Sequence, residues 1–263
     1  MWIFIDILIA LAVIFLLYLI SVKPRKREFN NNLLVNYAHR GLWGKTIPEN
    51  SLKAFDNAVK NGFAIELDVQ LSKDNVVMVF HDYTLKRMTG AEGKLSDLTL
   101  KELKELSLLN SDEKIPTFME VLEIVNGKVP LLVELKGENL DSSLCPKVAD
   151  ILKDYKGEYC VESFNPLLIK NIKKYLPDVF CGQLYTNVVK EKKKVSILNI
   201  LLTLMSFNFL AKPDFIAYNK NARNSLPVKI TTELFKAPKF VWTVKDEDRR
   251  FENECIIFES ENF

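Results

Sequence analysis

Cysteine is scarce in this chain and histidine scarcer. Among 263 residues there are four cysteines and two histidines. Cys145, Cys160, Cys181 and Cys255 stand apart, with no C-x-x-C pair. That excludes a disulfide framework and a zinc ribbon, and reads as buried free thiols. Excess charge is missing too: Lys+Arg 36 against Asp+Glu 34 leaves a net charge of +2. So balanced a chain offers a polyanion no global field, and no nucleic-acid partner is expected. There is no G-x-G-x-x-G and no P-loop, so nothing implies a nucleotide cofactor. No short repeat or low-complexity tract is visible. What is present is an ordinary globular composition, 48% apolar and 27% charged, at a length that a single α/β barrel reaches (about 250 residues).

The apolar residues are unevenly spread. Trp2–Val22 is interrupted only by Asp6, Tyr18 and Ser21. As a helix it spans about 31 Å, the thickness of a hydrocarbon core. Lys23, Arg25, Lys26 and Arg27 follow at once. A cleavable signal would carry its positive charge before the apolar run and small residues after it. The reverse order reads as a retained transmembrane helix over 2–22. The positive-inside rule then places the C-terminal side in the cytoplasm. Residues 23–33 read as a basic and polar linker, and 34–263 as the globular domain.

From residue 34 the pattern alternates between strand and helix. Strands are expected at 34–38, 63–69, 76–80, 129–135, 158–164, 179–184, 215–218, 239–244 and 255–258. Helices are expected at 51–59, 98–109, 117–125, 143–154, 167–175 and 196–210. Ser51 is an N-cap candidate and Gly62 stands just past the helix end. Alternation of this kind argues for a parallel sheet, and about eight units in about 230 residues suit a TIM-type (β/α)8 barrel. The rhythm breaks at about 82–116, read as a small insertion after the third strand, with a helix over 99–108.

The chemistry gathers at strand ends. His39 follows the first strand and His81 the third. Glu66 and Asp68 share one face of the second strand, because side chains alternate with a period of two. Glu134 and Lys136 repeat that spacing. Inward carboxylates among apolar neighbours need a cation to offset their desolvation. Glu66, Asp68 and Glu134 are hard oxygen ligands suited to Mg²⁺ or Ca²⁺, and less to zinc. All of these groups are expected at the C-terminal ends of parallel strands, where such barrels carry their sites.

Residues 38–90 then resemble one family closely. They contain H-R-G (39–41), P-E-N-S (48–51), E-L-D (66–68), H-D (81–82) and L-K-R-M-T (85–89), in that order. V-E-L-K-G (133–137), S-F (163–164) and W-T-V (242–244) follow. This is similar to the glycerophosphodiester phosphodiesterase family, over roughly residues 35–260. The resemblance implies a TIM barrel, a divalent cation, and hydrolysis of glycerophosphodiesters to sn-glycerol 3-phosphate and an alcohol. It implies Glu66, Asp68 and Glu134 as metal ligands, with Arg40 and Lys136 on the phosphate. His39 and His81 would be the acid–base pair, acting on water or on the substrate's own 2-hydroxyl. Glu49 either orients Arg40, lies near the metal, or is a first-turn carboxylate favoured by the helix dipole. Asp82 either orients His81 or caps a turn. Trp242 either walls the glycerol moiety or packs in the core. The chain departs from the pattern near its end. Lys245 follows W-T-V, and the family's I-I-T-D is replaced by Ile256-Ile257-Phe258-Glu259. Those changes are expected to affect the alcohol side and not the proton-transfer residues.

One further stretch bears on substrate. Residues 195–211 are apolar but carry Ser196, Asn199, Thr203, Ser206 and Asn208, and Lys190, Lys192, Lys193 and Lys194 precede them. They read either as a barrel helix with a basic entry or as an interfacial helix on an anionic leaflet. The partners expected are a phosphodiester, small-molecule or lipid, and the membrane. Three function classes follow: a glycerophosphodiesterase, a lysophospholipase D-like enzyme, and a catalytically silent membrane-anchored binding module. Retention of both histidines, Arg40 and all three carboxylates speaks against the last.

Overall fold

A computed structural model describes residues 2–137, 140–245 and 253–259. Among them are nine strands: β1 (Tyr37–Ala38), β2 (Ala64–Leu71), β3 (Val77–Val79), β4 (Leu131–Leu135), β5 (Tyr159–Ser163), β6 (Cys181–Tyr185), β7 (Phe215–Asn219), β8 (Lys239–Lys245) and β9 (Cys255–Glu259). All but β3 run parallel in the order β1, β2, β4 to β9. Parallel pairing of β1 with both β2 and β9 closes them into an eight-stranded barrel. Helices lie outside, as expected of a TIM barrel.

Side-chain alternation builds two cores. Ile65, Leu67 and Val69 of β2, with Leu131, Val133 and Leu135 of β4, face the surrounding helices. The opposite phase faces the barrel axis. There Ala64, Leu132, Cys160, Phe215 and Phe240 form an apolar floor. One pleat further up, Asp68, Glu134 and Glu162 stand side by side in the register. The axis therefore changes from oil to carboxylate within one step, and the functional groups sit above a dry plug. All four cysteines are buried free thiols, three of them on β5, β6 and β9.

Three expectations need correction. The strand expected at 76–80 is β3, and it pairs antiparallel with β2. His81 therefore does not follow a parallel barrel strand. It follows a hairpin arm laid against β2, with Phe80 N bonded to Asp68 O (2.9 Å). The strand expected at 34–38 is only Tyr37–Ala38; a 3-10 turn over Asn31–Leu33, capped by the Asn30 side chain, closes on Leu34, whose N–H bonds Asn31 O (3.1 Å). The helix expected at 196–210 is broken into Ile197–Thr203 and Asn208–Ala211. Met205 takes a left-handed φ of +53° between them, and Asn208 turns inward to donate to Val22 O (3.0 Å).

Residues 82–116 form a small subcore over the hairpin, with Met78, Phe80, Leu85, Met88, Leu95 and Leu103 buried together. The helix in it spans Leu100–Glu105, capped reciprocally by Thr99 and Glu102. The 23–33 segment is strapped to the barrel wall. Arg27 forks onto Asp214 (2.8 and 3.2 Å) and stacks on Phe180 at 3.6 Å. Asn30 and Asn32 bond Glu158.

Gly41 shows how locally the site is specified. Its φ is +82°, and a Cβ there would lie 3.0 Å from Ala54 and Phe55 atoms. Gly41→Ala combines a left-handed penalty with overpacking, and is expected to cost about 2–4 kcal/mol. Urea titration of purified variant and parent checks it; equal midpoints would refute the strain.

Candidate active site

Glu66, Asp68 and Glu134 each offer an oxygen within 4.8 Å of the others'. Their neighbours are ordered around Asp68. Asn50 Nδ2 donates to Asp68 Oδ2 (2.9 Å), and Arg40 Nε lies 3.5 Å from the same oxygen. Lys136 Nζ sits 3.1 Å from Glu134 Oε1 and 3.4 Å from Asp68 Oδ1. The H-R-G turn contributes backbone as well. Arg40 has a φ of +59°, which aims its own N–H at Glu66 Oε2 (2.9 Å).

Burial sets the electrostatics. It pushes the Glu66 carboxyl well above its usual range, and the Asp68 and Glu134 charges push it further. It raises Glu134 to about 7, outweighing the pull of Lys136. Burial also acts to raise Asp68, but Lys136 and Arg40 overcome it and hold that carboxyl well below its usual range. Lys136 is kept charged by Glu134 and Asp68 in spite of its own burial. Glu162 is fully buried beside this row and raised by the same causes. Asp68 Oδ1, Glu162 Oε2, Arg40 Nε and Asn50 Oδ1 are buried without hydrogen-bond partners. Crowded buried carboxylates, two of whose oxygens lack a hydrogen bond, fit a divalent cation.

The two histidines present themselves alike. His39 Nδ1 is 2.7 Å from Glu259 Oε1, and its Nε2 is 4.0 Å from Glu66 Oε2. His81 Nδ1 is 2.7 Å from Asp82 Oδ1. A carboxylate on Nδ1 orients the ring and leaves Nε2 for proton transfer. Burial lowers the pKa of His81, against the pull of Asp68. Asp82 is held by Arg87 (Nε to Oδ2, 2.6 Å), and Arg87 reaches across to Glu49 (2.6 Å). Glu49 also takes Arg40 Nη1 (2.8 Å). Glu49 thus lies outside the triad, in a chain linking Arg40 to His81 through Arg87 and Asp82. Trp242 donates Nε1 to Ala217 O (3.0 Å) and packs edge-on against Phe164 at 5.6 Å.

Four site residues escaped the sequence reading: Asn50, Arg87, Glu162 and Glu259. Glu259 is the sharpest case. The altered chain end was expected to leave the proton-transfer residues untouched, yet barrel closure sets Glu259 against His39. Its carboxyl is lowered by the hydrogen bond from His39. As a positioning residue its loss should act on kcat more than on KM. Glu259→Ala is expected to lower kcat by about 10–100-fold, with Glu259→Asp recovering part of it. An unchanged kcat would remove the role.

A cleft of about 980 Å³ opens beside the triad. Glu134 and Lys136 line one end. Leu198, Leu202, Met205, Phe207 and Leu210 line the other.

Fold and site together define an α/β-barrel phosphodiesterase. Comparison with known proteins makes this specific. The sequence model of the Glycerophosphoryl diester phosphodiesterase family matches residues 39–257, and the chain belongs to that family. A glycerophosphodiester phosphodiesterase of Caldanaerobacter subterraneus is 35% identical over 232 residues, covering 84% of this chain and 88% of the relative. The crystal structure of a glycerophosphodiester phosphodiesterase from Thermotoga maritima superposes with a TM-score of 0.66 at 28% identity, covering 89% and 96% of the two chains. A phosphodiesterase of Oleispira antarctica, solved with the product sn-glycerol-3-phosphate, gives 0.69 at 23% identity, covering 86% and 92%.

Proposed function

We propose that this chain hydrolyses glycerophosphodiesters to sn-glycerol 3-phosphate and an alcohol at a site built from His39, His81, Arg40, Lys136 and the Glu66–Asp68–Glu134 triad. The observation that carries this reading is the convergence of two carboxylate-oriented histidines on one buried, unsatisfied acidic cluster. The triad would hold a Mg²⁺ or Ca²⁺ ion. Bound there, such an ion supplies charge neutralisation at the phosphate as phosphorus becomes five-coordinate. Arg40 is fixed by Glu49 through Nη1 and by Asp68 at Nε (3.5 Å), which holds its guanidinium beside the triad, where it would meet a phosphate oxygen. Lys136 adds a point charge on the opposite flank. One histidine Nε2 takes the proton of the nucleophile and the other gives a proton to the leaving alkoxide. The nucleophile is water, giving glycerol 3-phosphate directly, or the substrate's own 2-hydroxyl, in which case a water then opens the cyclic phosphate by the reverse proton transfers. The apolar floor below the triad excludes water from that side.

Helix Trp2–Val22 is long and apolar enough to cross a membrane; residues 2–17 are exposed, and only its last turn, ending at the buried Val22, packs on the barrel. We read it as a retained anchor, with residues 23–263 in the cytoplasm. The leucine-lined end of the cleft favours a second reading, a lysophospholipid whose acyl chain lies along it. Full-length protein in detergent, offered glycerophosphoethanolamine, glycerophosphoglycerol and a lysophospholipid with Mg²⁺, Ca²⁺ or EDTA, separates the two. Cation-dependent release of glycerol 3-phosphate supports the first. Lysophosphatidic acid as the sole product transfers the assignment to the second. No turnover by folded protein overturns both.

A further inference from the structure

The apolar helix and the barrel are joined at a defined place. Arg25 N bonds Pro213 O (2.8 Å), just before the start of β7. Val22 O accepts from Asn208. Higher up, Tyr18 and Leu19 pack on the cluster containing Tyr185 and Tyr218, near the C-terminal ends of β6 and β7. The hydroxyl of Tyr185 donates to Thr203 O (3.1 Å). Followed backwards, the helix climbs the barrel wall from the N-terminal to the C-terminal ends of the strands. Residues 2–17, exposed throughout, then continue for about 24 Å at 1.5 Å per residue. They leave from the face that carries the triad.

The connection from β6 to β7 lies at that level and shows an unusual surface. Val195 is 75% exposed and Ile197 79%, with Leu198, Ile200 and Phe209 exposed beside them. Lys190, Lys192, Lys193 and Lys194 stand exposed just before. Glu191, the acid among them, is turned onto Thr186. Apolar side chains next to a cationic run, at the foot of a long exposed apolar helix, match an anionic lipid surface in both chemistry and position. A large protein partner would meet the bilayer there.

We propose that residues 188–209 are a second membrane contact, seating the C-terminal face of the barrel on an anionic leaflet so that the cleft opens toward lipid. This rests on the reading of Trp2–Val22 as a membrane span. The lysines lie among headgroups, and Val195, Ile197 and Leu198 lie below them. The leucine-lined end of the cleft begins on this same segment, so a substrate leaving the leaflet enters it without crossing bulk water.

The test uses the full chain, one copy per nanodisc, of phosphatidylcholine with or without phosphatidylglycerol. A fluorophore is placed on Ile197→Cys, and on Lys128→Cys at the opposite end of the barrel as a control; the native cysteines are buried. Nitroxide-labelled lipid is expected to quench the probe at 197 and not at 128, more strongly with phosphatidylglycerol present. Replacing the four lysines by Gln should abolish that lipid preference. Equal, weak quenching at both sites overturns the proposal while leaving the span intact, provided alkaline carbonate fails to strip the protein from vesicles. Release by carbonate overturns the span and this proposal with it. Quenching at 197 that ignores both phosphatidylglycerol and the lysines overturns the anionic preference.

Discussion

His39→Ala and His81→Ala are each expected to lower kcat by about 10²–10⁴-fold, the usual share of a positioned acid or base, with the melting temperature little changed. Both side chains sit at the mouth of the barrel rather than in a core; His39 adds one contact to β9 through Glu259, where β1 and β9 are already paired by backbone. Their Nδ1 atoms are occupied by Glu259 and Asp82, so each variant removes a proton carrier while the acidic cluster persists. The two should differ with leaving group. A phosphodiester of p-nitrophenol leaves without protonation, so the variant lacking the general acid recovers on it and the variant lacking the base does not. Burial lowers the pKa of His81, which keeps that ring neutral to lower pH and extends its use as a base into mildly acidic solution. Activity within tenfold of the parent in both variants would remove the acid–base pair. Recovery of both on the activated substrate would assign them a shared role in binding instead.

Much of this site was legible because it depends on short-range alternation. Ile65-Glu66-Leu67-Asp68-Val69 states its inward face without reference to the rest of the chain, and Val133-Glu134-Leu135-Lys136 repeats the statement. Ser51 was readable as a cap for the same reason, and its side chain accepts from Ala54 N (3.1 Å). Glu162 was equally legible in Cys160-Val161-Glu162-Ser163 and was passed over, though its phase matches that of Glu134 across the register. Other features had no local signal. An apolar run such as 76–80 carries no information on direction, so an antiparallel arm and a parallel strand read alike. Glu259 meets His39 across 220 positions only because β9 closes on β1. Arg87 stands in a recognisable motif, but its use as a clasp between Glu49 and Asp82 exists only once the insertion folds over the hairpin. The break at 204–207 followed no composition change. It accompanies Asn208 and Met205 fitting against the end of helix Trp2–Val22.

Chelation of the divalent cation should produce the largest change of all: loss of turnover, together with a fall in thermal stability that deepens as pH rises. The sign follows from the acidic row. Glu134 is raised from 4.5 to about 7 in the folded chain, and Glu66 is raised in the same direction. A carboxyl raised on folding binds more protons in the folded state than in the unfolded one. Its contribution to stability is therefore full at pH below its unfolded value and is lost as pH climbs through the folded value. The cation-free protein should lose stability between about pH 4.5 and 7 from this source. A cation must displace those protons, so its affinity rises over the same interval and its binding releases protons. Titration calorimetry in two buffers of different ionisation enthalpy reads that release directly. Glu66→Gln sharpens the test, since the amide retains an acceptor for Arg40 N but removes one charge from the cluster. It should abolish turnover and weaken cation binding, yet raise the melting temperature of the cation-free protein in mildly alkaline buffer, because a repelling, desolvated charge is gone. A cation that binds with equal affinity in mildly acidic and mildly alkaline buffer, without proton release, would mean that the triad is not where it binds.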